Sequence, residues 1–204
     1  MSANVFKPNV AAVVLAAGAS KRMLAIKQLL PWQGTTLLGH VLSQLRQSDA
    51  SDVFLVLGAY EKEILQEIDT TSVKLIHNDD WVRGMGSSIS KTIDFLQEND
   101  FKYDGLLIAV ADQPLIDVNH YNKLINSCIN SKRIIASYYN NELGVPVVFG
   151  NEYFEELQSL HEDFGAKSIL KKHLDHLIRM DAPYGEIDLD TKERYGQFYG
   201  THGK

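Results

Sequence analysis

The sequence predicts an α/β fold of three layers on a mostly parallel, mixed sheet, and two observations carry that expectation. Short apolar runs with little polar alternation recur through the first two thirds of the chain, the pattern of strands covered on both faces. Between them lie stretches whose apolar residues fall at helical spacing. Strand and helix therefore alternate, an order that lays helices on both sheet faces in a Rossmann-like domain and puts ligands beyond the carboxyl ends of the strands.

Five runs read as buried strands: residues 10–17 (VAAVVLAA), 53–58 (VFLVLG), 73–76, 105–111 (GLLIAVA) and 133–137. The helices show as stripes. Leu37, Leu38, Val41, Leu42 and Leu45 make the first, Ile89, Ile93 and Leu96 the second, and Tyr121, Leu124, Ile125, Cys128 and Ile129 the third. The last third is less regular. Residues 145–149 read as a strand, 151–160 and 166–174 as helices, and 187–189 as a short extended piece, which predicts some antiparallel pairing. No linker, repeat or low-complexity tract divides the 204 residues, so 1–204 is expected to be one domain.

Composition narrows the function classes. With 26 acidic against 20 basic side chains the formal charge is −6, which excludes a broadly basic nucleic-acid binder. The single cysteine, Cys128, cannot pair within the chain and suits a reducing compartment. No apolar run approaches the roughly 18 residues of a membrane span, and residues 1–9 lack a secretory pattern. A cytoplasmic protein without nucleic-acid or membrane partners is expected.

Three regions have residues suited to chemistry. The first is the turn after the first strand, Gly18-Ala19-Ser20-Lys21-Arg22, followed by Lys27. A glycine at a strand end lets backbone N–H groups face a ligand, and Arg22 and Lys27 add a forked and a point cation, so the turn can cradle phosphate. It matches neither GxGxxG nor the Walker pattern, and on spacing alone it reads equally as a solvated basic loop. The second is Asp112 in Ala111-Asp112-Gln113-Pro114, at the end of a buried strand. It suits a Mg²⁺ ligand or a turn aspartate, and Asp188 and Asp190, two apart in an extended segment, offer a partner carboxylate on one side. The third runs from Asn78 through Gly84 and Gly86 to Ser87 and Ser88, ahead of the second helical stripe. It reads as a flexible loop leading to a capped helix N-terminus, able to hold a polar ligand or simply to cap.

Weaker patterns are set aside. SxxK occurs twice, at Ser88 and Ser168, without the motifs that accompany it in acyl-transfer enzymes. His173 and His176 are expected on a solvated helix face, and His40, His77, His120 and His161 have no recognisable nucleophile. Tyr184, Tyr195, Phe198 and Tyr199 are expected to pack rather than to stack bases.

In order and spacing, these strings resemble one family, the molybdenum cofactor cytidylyltransferase type within the MobA-like NTP transferases. They are Val14-Leu15-Ala16-Ala17-Gly18-Ala19-Ser20-Lys21-Arg22-Met23, Lys27-Gln28-Leu29-Leu30-Pro31-Trp32, the 78–89 loop and Ala111-Asp112-Gln113-Pro114. Gly144-Val145-Pro146-Val147-Val148-Phe149, Asp163-Phe164-Gly165-Ala166-Lys167 and Asp188-Leu189-Asp190-Thr191 complete them. The resemblance implies the fold of the nucleotide-diphospho-sugar transferases and an Mg²⁺-dependent transfer of CMP from CTP to molybdopterin or molybdenum cofactor, with release of pyrophosphate. It implies nucleotide binding by Leu15, Ala16, Ala17, Gly18, Ser20, Asn78, Gly84, Ser87 and Ser88. Arg22, Lys27 and Asp112 would be catalytic, and Asp112 with Asp188 or Asp190 would hold Mg²⁺. The Ala16-Ala17-Gly18 form is like the cytidylyl branch, whereas the guanylyl branch tends to Ala-Gly-Gly. A molybdoenzyme or its maturation factor would receive the product.

The chain departs from the family pattern at Leu24, where Gly is usual, at Ile26, where Pro is usual, at Lys167, where Arg is common, and at His161-Glu162, which replace a Gly before Asp163. Leu24 keeps open a low-turnover cofactor-binding maturation protein. Transfer to another acceptor, a sugar or polyol phosphate, or of a guanylyl group, is the other alternative.

Overall fold

The computed structural model describes residues 7–20, 23, 25–160, 165–182 and 189–204. In chain order the elements are β1 (Val10–Leu15), β2 (Pro31–Trp32), β3 (Thr35–Thr36), α1 (Leu37–Arg46), β4 (Val53–Leu57), α2 (Glu61–Glu67), β5 (Lys74–His77) and α3 (Met85–Glu98). There follow β6 (Gly105–Val110), α4 (Val118–Asn126), β7 (Ile134–Tyr139), β8 (Glu142–Gly150), α5 (Phe154–Gln158), α6 (Lys167–Lys172), β9 (Leu177–Asp181) and α7 (Lys192–His202).

Seven strands form one sheet in the order β5-β4-β1-β6-β8-β7-β9. Four are parallel neighbours, β5-β4-β1-β6, and β8 runs antiparallel to both β6 and β7. The expected mostly parallel, mixed sheet is therefore the observed one. β1, β4 and β6 are buried at every residue, because helices cover both of their faces. Alternate residues of β1 divide between the layers. Val10, Ala12 and Val14 pack with Leu38, Val41 and Leu42 of α1 and Leu124 and Ile125 of α4, whereas Ala11, Val13 and Leu15 pack with Ile89 and Ile93 of α3 and Leu157 of α5. β5, at the sheet edge, buries only Ile76.

Several expectations are corrected at element ends. α4 stops at Asn126, so Cys128 reaches the core from the following turn and Ile129 is 59% exposed. Burial raises the Cys128 thiol to about 11, which leaves it an inert apolar filler. His176 is exposed as expected, but His173 is half-buried: its Nε2 meets Glu156 at 2.9 Å, while His176 Nδ1 shares a hydrogen bond with the Tyr153 hydroxyl at 3.0 Å. The extended piece at 187–189 falls largely outside the described residues, and Leu189 lies in no strand.

A third small core sits at one end of the sheet. The β2-β3 hairpin turns through Gln33 and Gly34, both at positive φ, as a two-residue hairpin loop requires. It buries Trp32 with Leu37 and Leu189, against Tyr195, Phe198 and Tyr199 of α7. Among the described residues no helix is long and apolar enough to cross a membrane.

Candidate active site

β1 and β6 are adjacent, but the chain leaves β1 toward β4 and β5 on one side and reaches β8 beyond β6 on the other. A crevice opens beyond the strand ends at such a switch in winding. Here it is a cavity of about 340 Å³ lined by Leu15, Ala16, Ala17, Gly18, Ser20, Lys27, Gly84, Ser88, Asp112 and Asp190, together with Met23, Gln28, Trp81, Met85, Val110 and Ala111. Five separate stretches of sequence thus meet: the β1 turn, the Lys27 turn, the loop before α3, Asp112 after β6 and Asp190 before α7.

At the polar end, Lys27 projects between two aspartates. Its Nζ donates to Asp112 Oδ2 and to Asp190 Oδ1, each at 2.5 Å. The lysine side chain is 11% exposed. Burial works against its ammonium, but the Asp112 and Asp190 carboxylates outweigh that penalty and hold it above its ordinary value. Asp190 is brought here by the segment ahead of α7, whose Leu189 N–H donates to the Asp112 carbonyl at 3.5 Å. Thr191 caps α7, its side chain accepting from the Arg194 N–H.

The other oxygen of Asp112, Oδ1, is buried and has no hydrogen-bond partner among the described residues. A buried carboxylate oxygen without a donor is costly unless something binds there. Among the described residues no three His, Cys, Asp or Glu side chains cluster as a metal cage. Mg²⁺, however, is held by one or two carboxylates with substrate phosphates and water, so Asp112 and Asp190 fit it.

The loop before α3 is built around Asn78, which is 2% exposed. Its Nδ2 donates to the hydroxyls of Ser87 and Ser88, both at 3.0 Å, and its Oδ1 accepts from the Asp80 N–H at 3.0 Å. Ser87 donates to the Asp80 and Gly84 carbonyls. Asn78 and Ser87 therefore stand behind the cavity wall and brace it, while Gly84 and Ser88 lie on it. The expected serine cap is also revised: α3 starts at Met85, Gly84 occupies the cap position with φ +96°, and the serines fall in the first turn. Trp81 and Met85, not singled out from sequence, form the apolar wall. Each packs on a glycine, Trp81 on Gly58 and Met85 on Gly165, where a Cβ would come within 3.0 Å of the neighbouring side chain. Arg22 and Asp188 lie outside the described residues, as does Leu24.

Residues 12–177 match the MobA-like NTP transferase domain. The chain belongs to this family. Two relatives extend over nearly the whole MobA-like chain. Nicotine blue oxidoreductase of Paenarthrobacter nicotinovorans is 32% identical over 200 residues, 92% of this chain and 95% of its own. Purine catabolism protein PucB of Bacillus subtilis is 28% identical over 199 residues, with the same coverage of 92% and 95%. Among solved structures, Rv0371c of Mycobacterium tuberculosis in complex with manganese superposes with a TM-score of 0.78 at 24% identity, covering 95% of this chain and 99% of that one. That likeness shows the fold.

Proposed function

We propose that the protein is a metal-dependent cytidylyltransferase that transfers CMP from CTP to molybdopterin or molybdenum cofactor, releasing pyrophosphate. The observation that carries the reading is the Lys27-Asp112-Asp190 cluster, with an Asp112 oxygen that has no hydrogen-bond partner among the described residues, beside the Gly18 turn in one cavity. The manganese complex of the mycobacterial neighbour supports a divalent cation as the metal. The choice of CTP and of a pterin acceptor rests on the resemblance of the sequence motifs.

In the proposed reaction a phosphate oxygen of the acceptor attacks the α-phosphorus of CTP in line. One P–O bond forms, the bond to the β-phosphate breaks, and pyrophosphate departs with the electron pair. The acceptor phosphate is already ionised, so no residue need take a proton. The Gly18 turn would hold the triphosphate with its N–H groups, aided by Arg22. Lys27 would exchange one of its carboxylate partners for a phosphate oxygen and neutralise charge that grows on the leaving group. Asp112 and Asp190 would hold Mg²⁺, which supplies charge neutralisation and alignment of the phosphates when bound. The Trp81 and Met85 wall gives the cavity an apolar side for a planar ring.

Pyrophosphate release with Mg²⁺ and each of CTP, GTP, ATP and UTP, with and without molybdenum cofactor, tests the reading. Cofactor-dependent release with CTP alone supports it. Release with a sugar or polyol phosphate instead moves the acceptor, and CTP binding without release points to the maturation role. A redox reading has one observation in its favour, the relative named as an oxidoreductase. Redox conversion of nicotine blue, with no pyrophosphate formed from any nucleotide, would replace transfer by that reading.

A further inference from the structure

We infer that Gln28 is a positioning residue that shapes the β1 turn into a ligand-binding surface; the inference rests on the nucleotide reading above. Gln28 follows Lys27 in a single 3-10 turn and is 5% exposed. Its Nε2 donates to the Ala16 carbonyl at 2.8 Å and to the Gly18 carbonyl at 3.0 Å, and its Oε1 accepts from the Ser20 hydroxyl at 3.2 Å. One buried amide is thus committed wholly to the stretch that lines the cavity.

The consequence follows from peptide geometry. In a trans peptide the N–H points opposite to the carbonyl of the same unit. Drawing the Ala16 carbonyl onto Gln28 sends the Ala17 N–H the other way, and drawing the Gly18 carbonyl back does the same to the Ala19 N–H. The intervening unit is fixed separately, because the Ala17 carbonyl accepts from the Ala59 N–H at 3.0 Å. Neither the Ala17 nor the Ala19 N–H has a hydrogen-bond partner among the described residues. Gln28 therefore holds two backbone donors ready for an acceptor-rich ligand, the phosphates or base carbonyl of a nucleotide. A glutamate there would set lone pairs against two carbonyls, and a methionine would fill the space with no donor.

The same turn links this scaffold to the polar centre. Lys27 and Gln28 are consecutive, one bound to Asp112 and Asp190 and the other to the β1 turn. The distance between the cation and the two donors is thereby set by one short helical turn.

The test compares wild type, Gln28→Met and Gln28→Glu. Gln28→Met should raise KM for CTP about tenfold and leave kcat within about twofold, since the donors serve binding in ground and transition states alike. Gln28→Glu should raise it further. Equal losses in kcat and kcat/KM, or unchanged KM in both variants, would overturn the proposal. Should the variants not fold, amide resonances of the wild type decide: CTP should shift Ala17 and Ala19. Shifts at Ser88 with none at Ala17 or Ala19 would overturn this inference alone, and no shift anywhere would overturn the nucleotide reading and this one with it.

Discussion

Lys27 neutralises two carboxylates that would otherwise face each other, and its own side chain is more buried than either of theirs, at 11% exposure against 23% for Asp112 and 33% for Asp190. Replacing it with methionine should lower the stability of the metal-free protein by about 1–3 kcal/mol, less than for a fully buried pair because both aspartates touch solvent. Mg²⁺ or Mn²⁺ should restore part of that loss in Lys27→Met, so urea unfolding with and without metal should show a larger metal effect than in wild type. No such difference would mean that the aspartates do not share a cation site. The strand-end position made Asp112 legible in the sequence, and the spacing of Asp188 and Asp190 marked the segment that supplies its partner. Gln28 was not legible as a site residue, because a polar residue between Ile26 and Leu29 shows its purpose only once Ala16 and Gly18 fold back onto it.

At the scale of elements, strong stripes were readable and weak ones were not. α1 and the core of α3 repeat apolar residues along one face, whereas α2 buries only Ile64 and α7 buries none of its residues fully. A helix that covers a small satellite core needs no long stripe, which is why α7 left little trace beyond Tyr195, Phe198 and Tyr199. α4 has a testable anchor in His120. Its Nε2–H donates to the Ser137 hydroxyl of β7 at 2.8 Å, and that hydroxyl donates to the Pro146 carbonyl at 2.6 Å. Burial lowers its pKa below 6.5, with Asp117 opposing and Lys123 adding to the shift. A histidine whose folded pKa is depressed favours the unfolded state on protonation. Its contribution is therefore intact above pH 6.5 and is lost as pH falls from 6.5 toward the folded value. Urea midpoints measured from pH 7.5 down to pH 5 should fall less steeply in His120→Gln, which keeps an N–H donor without titrating. Parallel curves would show that His120 does not titrate differently in the two states.

For the whole molecule, the site depends on parts that are distant in sequence and held by separate cores. The two large cores fix the β1 and β6 ends, while the third, around Trp32, Leu37 and Leu189, carries Asp190 into the cavity. Leu189 is fully buried, so Leu189→Ala should cost about 2–5 kcal/mol. It should also raise the Mg²⁺ concentration needed for half-maximal activity, measured at a temperature where circular dichroism shows the fold intact. An unchanged metal requirement would separate Asp190 from the metal. The sheet was legible because β1, β4 and β6 are buried throughout, and Asp190 as a partner of Asp112 was legible from its spacing; the place of Lys27 between the two was not, because the hairpin and α7 that frame it have weak local signals. If Asp112 anchors the cation used in the proposed nucleotidyl transfer, Mg²⁺-dependent pyrophosphate release from CTP and acceptor should differ sharply between wild type and Asp112→Asn. The expected result is activity in wild type and a loss of about 10²-fold or more in Asp112→Asn, measured at a temperature where circular dichroism shows both proteins folded. Equal rates for the two proteins would mean that Asp112 does not anchor the cation.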